Sequence, residues 1–311
     1  GYNAFGSAGL GTHNDATDRA ILGNIAIGKN ALDATAGNPQ TGTIAIGHEA
    51  LTALTSGTYN TAIGYQSQTA NTDSDRNTSL GYQSLLTIAA TDDNNTAIGY
   101  QALKMSTTGG NTAVGSSALT LVDTGENNTA VGYGAMTSNN SSQDASNNVA
   151  VGYLALNGIT DGDDNVAIRS NAGLNISSGY SNIIIGNRAA YLADGVSDNV
   201  VIGNYAGEKM DTATVDAVQN VYIGALSGRY LDDAKWNVAI GYNSMVSASG
   251  LGNDAANNVA IGYNTLYAIT DADQNTAVGS KALTTTTTGG NNVAIGADAS
   301  NKGTTANKNV A

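Results

Sequence analysis

The hydrophobic and polar positions of the chain recur at short, nearly regular intervals. In the stretch NTAIGYQAL, residues 95–103, a small Ala lies between two bulkier residues and a Gly follows directly. Alternation with a period of two residues is typical of a β-strand. A small residue and a Leu follow the Gly three and four positions later. The pattern predicts one short strand in each repeat, ended by a turn.

Aligning the repeats on this Gly gives 16 copies, most of them 17 residues apart. This period is too short for helical repeats or propeller blades, and it matches one turn of a β-solenoid. The sequence therefore predicts an all-β fold, a parallel β-solenoid of about 17-residue coils. We expect a continuous array of about 16 coils over residues 24–311, degenerate or partial coils over residues 1–23, and a repeat that is cut at both ends.

The residue just before the Gly is Ile, Val or Leu in every copy. A bulky aliphatic residue at a fixed position of every coil predicts the structural core of the solenoid. This predicted core consists of Ile27, Ile46, Ile63, Leu80, Ile98, Val114, Val131, Val151, Ile168, Ile185, Ile202, Ile223, Ile240, Ile261, Val278 and Ile295.

The Ala one position earlier would then lie on the opposite face of the strand. A strand face of small apolar residues is suited to packing against another surface, so we expect it to contact neighbouring chains. Three chains around one axis form a closed arrangement. The residues predicted to mediate chain–chain packing are Ala62, Ala97, Ala130, Ala150 and Ala260.

Two further columns of the repeat predict backbone features. The Gly suits either a corner with positive φ or a close approach of two backbones. An Asn four residues before it suits a turn, and stacked Asn side chains can form a hydrogen-bond ladder between coils. Arg169 occupies the Gly position of one copy. Either that corner is formed without glycine or a loop there is displaced.

Composition and charge exclude several classes of function. The net charge is −13, with 12 basic and 25 acidic residues, and such a surface is unsuited to nucleic acid. The chain has no Cys, which excludes disulfides and thiol chemistry. No apolar run is long enough for membrane insertion.

The residues that could carry chemistry are few. The two histidines, His13 and His48, lie in unrelated contexts, and the basic residues are scattered. Without a cluster of carboxylates and basic residues, we expect no catalytic residues, no enzyme activity and no cofactor.

Acidic residues cluster in DGDDN, residues 161–165. The cluster suggests weak Ca²⁺ binding by Asp161, Asp163 and Asp164. The twelfth position of a calcium loop would be Ala172 and not Glu, so solvated turn residues are the favoured interpretation.

A Tyr follows the Gly in seven copies: Tyr65, Tyr82, Tyr100, Tyr133, Tyr153, Tyr242 and Tyr263. The column could be a carbohydrate platform, because Tyr offers a flat face and a hydroxyl. Equal spacing is what stacking requires, so a stacked ladder at a corner or an interchain seam is favoured. An ice-binding array is not favoured, since the column before the Ala mixes Thr61, Val149 and Ile183.

Repeats such as NTAIGYQAL, NNTAVGYGAM and NNVAIGYNTL resemble two related groups of fibrous proteins. One is the head repeats of trimeric autotransporter adhesins, and the other is the shaft repeats of phage tail fibres. The resemblance covers roughly residues 24–311. A period of mostly 17 residues, and Thr where the adhesin repeat has Ser-Val, favour the tail-fibre shaft.

The resemblance implies a homotrimer on a virion, with a host receptor or glycan bound through a tip that is not in this chain. The function expected is a shaft segment of a tail fibre that presents this tip for host attachment. The alternative is the head region of a trimeric autotransporter-like adhesin on a bacterial cell surface, binding host matrix or glycans. Flanking sequence would separate the two.

Overall fold

The computed structural model describes residues 23–34, 40–89, 92–121, 124–137, 144–210, 217–247, 255–300, 305 and 307–311. His13 and the partial coils predicted for residues 1–23 lie outside these ranges, apart from Gly23. The chain divides into two compact units, residues 1–148 and 149–311, and each is described by itself.

The first unit contains a parallel sheet with one three-residue strand from each coil. Neighbouring strands pair in register, so that Ala45 lies opposite Ala62. A second, two-stranded parallel sheet joins β5 and β7. The strands are β1 Ile25–Ile27, β2 Ile44–Ile46, β3 Thr61–Ile63, β4 Thr78–Leu80, β5 Thr87–Ile88, β6 Thr96–Ile98, β7 Met105–Ser106, β8 Thr112–Val114 and β9 Thr129–Val131.

The second unit repeats this architecture. Its main sheet is parallel and in register, with Val201 opposite Tyr222, and β13 pairs with β15 in a small second sheet. The strands are β10 Val149–Val151, β11 Val166–Ile168, β12 Ile183–Ile185, β13 Leu192–Ala193, β14 Val200–Ile202, β15 Lys209–Met210, β16 Val221–Ile223, β17 Val238–Ile240, β18 Val259–Ile261, β19 Thr276–Val278 and β20 Val293–Ile295.

The predicted fold class is confirmed. The chain is an all-β parallel β-solenoid with coils of about 17 residues, and none of the described residues forms a helix. Backbone hydrogen bonds repeat from coil to coil, as between the Ile44 amide and the Asn60 carbonyl and between the Thr61 amide and the Asn77 carbonyl, both 2.8 Å.

The prediction of which strand face is inside is wrong. The middle residues of the strands, among them Ala62, Ala97, Ala130, Ala150 and Ala260, have no exposed surface and lie in the core. None of the aliphatic residues before the Gly is buried; Ile27 is 56% exposed and Ile295 is 65% exposed. The proposed core residues therefore form part of an outer face, and the proposed packing residues line the interior of their own chain.

The reason for this inversion lies outside the strand. The residue four positions after the Gly is usually Leu, and Leu51, Leu85 and Leu103 are completely buried. These side chains supply most of the bulk of a narrow interior. Because little room remains, the strand can turn only a small residue inward. Alternation alone does not reveal which of its two faces is inside.

The Gly column serves both purposes that the sequence suggested. Gly64 has φ +141°, and a Cβ on it would lie 2.2 Å from the carbonyl oxygen of Gly81 in the next coil. A side chain would separate the two coils. Arg169 forms the one non-glycine corner among the described copies, with φ +99°. Strand β11 stays in register with β12, so the loop is not displaced.

Other residues of each coil also have positive φ. In the coil around Gly81, the φ values of Arg76, Gln83 and Leu85 are 56°, 50° and 50°. The residues two and four positions after the Gly repeat this conformation along the chain. It is unfavourable for L-residues other than Gly and, to a lesser degree, Asn and Asp, so each turn is held by its surroundings.

The predicted Asn ladder is confirmed. The side-chain oxygen of Asn60 accepts a hydrogen bond from the Asn77 amide at 2.9 Å, and Asn77 does the same for the Asn95 amide at 2.8 Å. The second unit has the same arrangement, as between Asn199 and the Asn220 amide at 2.9 Å. The ladder satisfies backbone groups inside every corner, where water has no access.

Candidate functional site

The first candidate is the outer strand face, defined as the first and third residues of the three-residue strands. These residues are only Thr, Val, Ile and Leu, and none of them is buried. In the second unit, nine such strands at a spacing of ~4.8 Å would form a continuous band about 40 Å long. Ile183 is 42% exposed within it.

The absence of charge from the outer strand face contrasts with the rest of the chain. Twelve per cent of all residues are charged and the net charge is −13, yet none of these strands places a charged residue on this face. A contiguous apolar surface of this extent marks an interaction surface in a water-exposed protein.

The second candidate is the column directly after the Gly. His48, Tyr65, Tyr82 and Tyr100 stack with ring centroids 5.2, 5.4 and 5.3 Å apart and with their planes within 8°. The predicted stacked ladder is confirmed for these residues. Because each ring face lies against its neighbour, mainly ring edges and hydroxyls remain for other contacts, which weakens the carbohydrate-platform hypothesis for this column.

A hydrogen-bonded ladder runs beside these rings. Gln66 donates to Glu49 at 2.8 Å, Gln83 donates to Gln66 at 2.9 Å, and Gln101 donates to Gln83 at 3.0 Å. His48 closes one end of the stack, with its Nδ1 3.8 Å from Glu49. The stacked rings and the amide ladder together indicate a structural role for this corner.

The third candidate is a group of side chains on the turns after β12, β14 and β16, which we call the Arg–Tyr patch: Arg188, Tyr191, Tyr205, Arg229 and Tyr230. The guanidinium carbon of Arg188 lies 4.1 Å from the Tyr191 ring centroid and 5.6 Å from that of Tyr205. Arg229 lies 5.6 Å from Tyr205 and 4.4 Å from Tyr230. Hydrogen bonding to Tyr205 is the main cause that raises the pKa of Arg188.

Acidic residues pair with two of the three cations at the patch. Arg229 Nε is 2.6 Å from Glu208, and Lys209 Nζ is 3.1 Å from Asp232. Among the described residues, Arg188 has no carboxylate within ion-pair distance. Its guanidinium therefore lies between two phenol rings without an anionic partner.

The sequence reasoning did not find this patch, although a signal was present. The Tyr column after the Gly is interrupted there by Ser170, Asn187, Asn204 and Ala225, and Arg and Tyr appear two and five positions after the Gly instead. Reading each column separately for the place where its residue type changes would have located the patch.

The weak calcium candidate does not form a ligand set. Asp161 accepts a hydrogen bond from the Thr160 hydroxyl at 2.8 Å, and the Asp163 carbonyl accepts one from the Ser181 amide at 3.0 Å. The structure does not bring Asp161, Asp163 and Asp164 together as metal ligands, and the described part of the chain holds no other group of three or more His, Cys, Asp or Glu arranged for a metal.

No protein-family model and no curated protein matches the sequence. Within the described ranges, no helix is long and apolar enough to cross a membrane. The arguments on function therefore depend on the surfaces described above.

Proposed function

We propose that the chain is a structural segment of a homotrimeric fibre, the shaft of a bacteriophage tail fibre on a virion, which presents a distal receptor-binding tip for host attachment. The observation that carries the proposal is the charge-free outer strand face. In water, such a band favours burial against a complementary apolar surface.

A second and a third copy of the same chain are the occupants proposed for this face. A repeated band has the same spacing in every copy, so Ile and Val columns of neighbouring chains can interdigitate along its length. Closed cyclic symmetry lets each chain bury the face without leaving an open edge. The chain–chain contact is thus assigned to Ile and Val columns, and no longer to the buried Ala column.

The mechanical role follows from the backbone. In-register parallel pairing, the Asn ladder and the close Gly contacts fix each coil against the next. A shaft needs this kind of repeated, local rigidity, and neither a pocket nor a catalytic group.

Light scattering after size-exclusion chromatography tests the assembly. We expect a particle of about three times the chain mass of 31.2 kDa. Ile202→Glu places a charge on the outer strand face and should give monomers that retain their β-sheet circular dichroism. Tyr267→Glu, at an exposed residue outside that face, is the matched control and should remain trimeric.

Two results would overturn the proposal: a monomeric wild-type chain, or an Ile202→Glu variant that assembles like the wild type. Retention of matrix proteins by the isolated chain would instead favour the adhesin-head alternative, because a shaft segment does not require such an activity.

A further inference from the structure

The Arg–Tyr patch is the place where the chain departs most from its own composition. Five of its 12 basic residues lie between residues 169 and 235, and two of them belong to the patch. On a chain with a net charge of −13, long-range attraction does not favour a polyanion. A ligand of this patch would be recognised through a single anionic group at short range.

Arg188 has the chemistry to bind such a group. A guanidinium presents parallel N–H donors that match a carboxylate. Its neighbour Arg229 is already paired with Glu208 at 2.6 Å, whereas no described carboxylate pairs with Arg188. The free donors of Arg188 are therefore available to a ligand.

The tyrosines hold Arg188 in position before any ligand binds. Its guanidinium contacts Tyr191 at 4.1 Å and Tyr205 at 5.6 Å, and cation–π contacts restrict an otherwise mobile side chain. A restricted side chain loses less entropy on binding. Tyr191 and Tyr205 are both half-buried, so each combines an anchored ring with a phenol hydroxyl.

Backbone strain borders the patch. Arg169, with φ +99°, occupies a position where the other copies have Gly, and the Arg188 amide donates to the neighbouring Ser170 carbonyl at 3.1 Å. A non-glycine residue in such a conformation costs free energy, and strained residues cluster at functional sites. The strain adds a second exposed guanidinium one coil from Arg188.

We propose that the Arg–Tyr patch binds a carboxylate-bearing sugar residue of a surface glycan, with Arg188 pairing with the sugar carboxylate and the tyrosines contacting the sugar ring. Glu208 and Asp232 provide carboxylate oxygens beside it that accept hydrogen bonds from sugar hydroxyls. The same carboxylates repel a phosphate dianion, which favours a sugar acid as the ligand.

The site lies on the turns of three successive coils of one chain, outside the outer strand face. It therefore depends neither on trimer assembly nor on the distal tip. In a fibre it would add a weak lateral contact between the shaft and a glycan-covered surface.

Ligand-detected NMR titration with sialyllactose, a glucuronic acid disaccharide, lactose and the methyl ester of sialyllactose tests the inference. We expect the two acidic sugars to bind and lactose and the ester not to bind. Arg188→Gln should weaken acidic-sugar binding about 10- to 100-fold, since a charge-assisted hydrogen bond contributes ~1.5–3 kcal/mol. Arg188→Lys keeps the charge without the planar fork and should lie in between.

Arg76→Gln is the matched control, because Arg76 is an exposed arginine that pairs with Asp93 at 2.7 Å in the other unit. It should bind as the wild type does, and thermal melting of each variant checks folding. No saturation by the acidic sugars at about 10 mM (a Kd this weak corresponds to under ~3 kcal/mol), equal binding of the ester, or unchanged binding by Arg188→Gln would each overturn the inference. None of these results bears on the mass measurement that tests the trimer.

Discussion

Two stretches of the core replace the usual filling of Ala in the strand and Leu after it, and they do so differently. In the first unit, Ser79 replaces the Ala and Gln68 replaces the Leu. In the second unit, the middle strand residues become Ile184, Val201 and Tyr222, while the Leu position becomes Gly or Ala. One stretch changes the polarity of the core and the other changes which side of the coil supplies its bulk.

The polar stretch is closed by hydrogen bonds. Gln68 Nε2 donates to the Thr61 carbonyl at 3.1 Å and to the Ser79 hydroxyl at 3.0 Å, and Asn71 donates to Gln68 Oε1 at 3.1 Å. Ser67 shares hydrogen bonds with Ser79 and Ser84. Polar groups are tolerated in this interior because each has a partner.

The bulky stretch exchanges volume across the coil. A Cβ on Gly228 would lie 2.4 Å from the Tyr222 ring, and one on Gly207 would lie 2.6 Å from the Met210 sulfur and 3.3 Å from the Tyr222 ring. The ring thus occupies the space that Leu fills elsewhere. The comparison teaches that the solenoid fixes the volume inside each coil, while the source and the polarity of that volume can change.

The largest expected effect comes from restoring the common residue where the core has been rearranged. Gly228→Leu should lower the free energy of unfolding by about 3 kcal/mol or more, because the new side chain overlaps the Tyr222 ring. Tyr222→Ala should cost about 3–5 kcal/mol through the cavity that it leaves. Urea unfolding followed by circular dichroism measures both.

The double variant Tyr222→Ala/Gly228→Leu decides whether volume exchange is the cause. Its loss should be smaller than the sum of the single losses by at least about 2 kcal/mol, the coupling expected of residues that share one space. Additive losses would contradict the exchange. Gly228→Ala, which adds only one carbon, should fall between the wild type and Gly228→Leu.

The polar stretch gives the next largest effect. Gln68→Ala should destabilise by about 2–4 kcal/mol, because it leaves a cavity and removes partners from Asn71 and Ser79. Complete reversion to the common core, Ser67→Ala/Gln68→Leu/Ser79→Ala/Ser84→Ala, should be neutral or stabilising, since all the polar partners leave together. Chemical unfolding distinguishes the two. A reversion as damaging as Gln68→Ala would show that polarity, and not volume, is fixed in this stretch.

Asp92 is a buried carboxylate that sharpens the comparison through pH. Desolvation raises its pKa from 3.8 to about 6 although the Ala89 amide donates to it at 2.8 Å. Between these values the folded state holds the proton more tightly than the unfolded state, so the contribution of Asp92 to stability is present at low pH and falls as the pH rises to about 6.

Asp92→Asn removes this loss. Its stability should match the wild type near pH 4 and exceed it by roughly 1–3 kcal/mol above pH 6, as unfolding curves over this range would measure. A constant difference between variant and wild type from pH 4 to pH 7 would contradict the role of the carboxylate.

The smallest effect is expected at Arg169. Arg169→Gly should raise the free energy of unfolding by about 1 kcal/mol, because Gly adopts a φ near +99° with less strain. Asn171→Gly is the control, since Asn tolerates its φ of 55°, and it should change little. A destabilised Arg169→Gly variant would mean that the arginine makes contacts that outweigh the strain.

The sequence predicted the coil, its period and the Asn and Gly corners, because each of these depends on one column that repeats without exception or nearly so. It failed on the orientation of the strand. The bulk of Leu51 and Leu85 is placed after a turn whose direction depends on residues with positive φ, such as Gln83. The usual residue preferences do not predict that conformation for Gln or Leu.

The candidate surfaces were predictable to a smaller extent. The Tyr ladder follows from equal spacing, and its stacking was expected on that ground. The outer strand face was assigned to the wrong residues because the inside and the outside were exchanged. The Arg–Tyr patch depends on contacts between side chains of successive coils, such as Arg188 and Tyr205, which no single copy of the repeat contains.

The positive φ angles of residues such as Gln83 and Leu85 have a kinetic consequence. A coil on its own must hold several L-residues in an unfavourable conformation, with no neighbouring coil to donate the hydrogen bonds that offset the cost. The first coils are therefore a slow nucleus, and each later coil adds to a finished edge that already presents its amides and carbonyls in register. Folding of this chain should resemble the growth of a one-dimensional crystal, in which defects near the nucleus slow the whole process and defects elsewhere mainly speed unfolding.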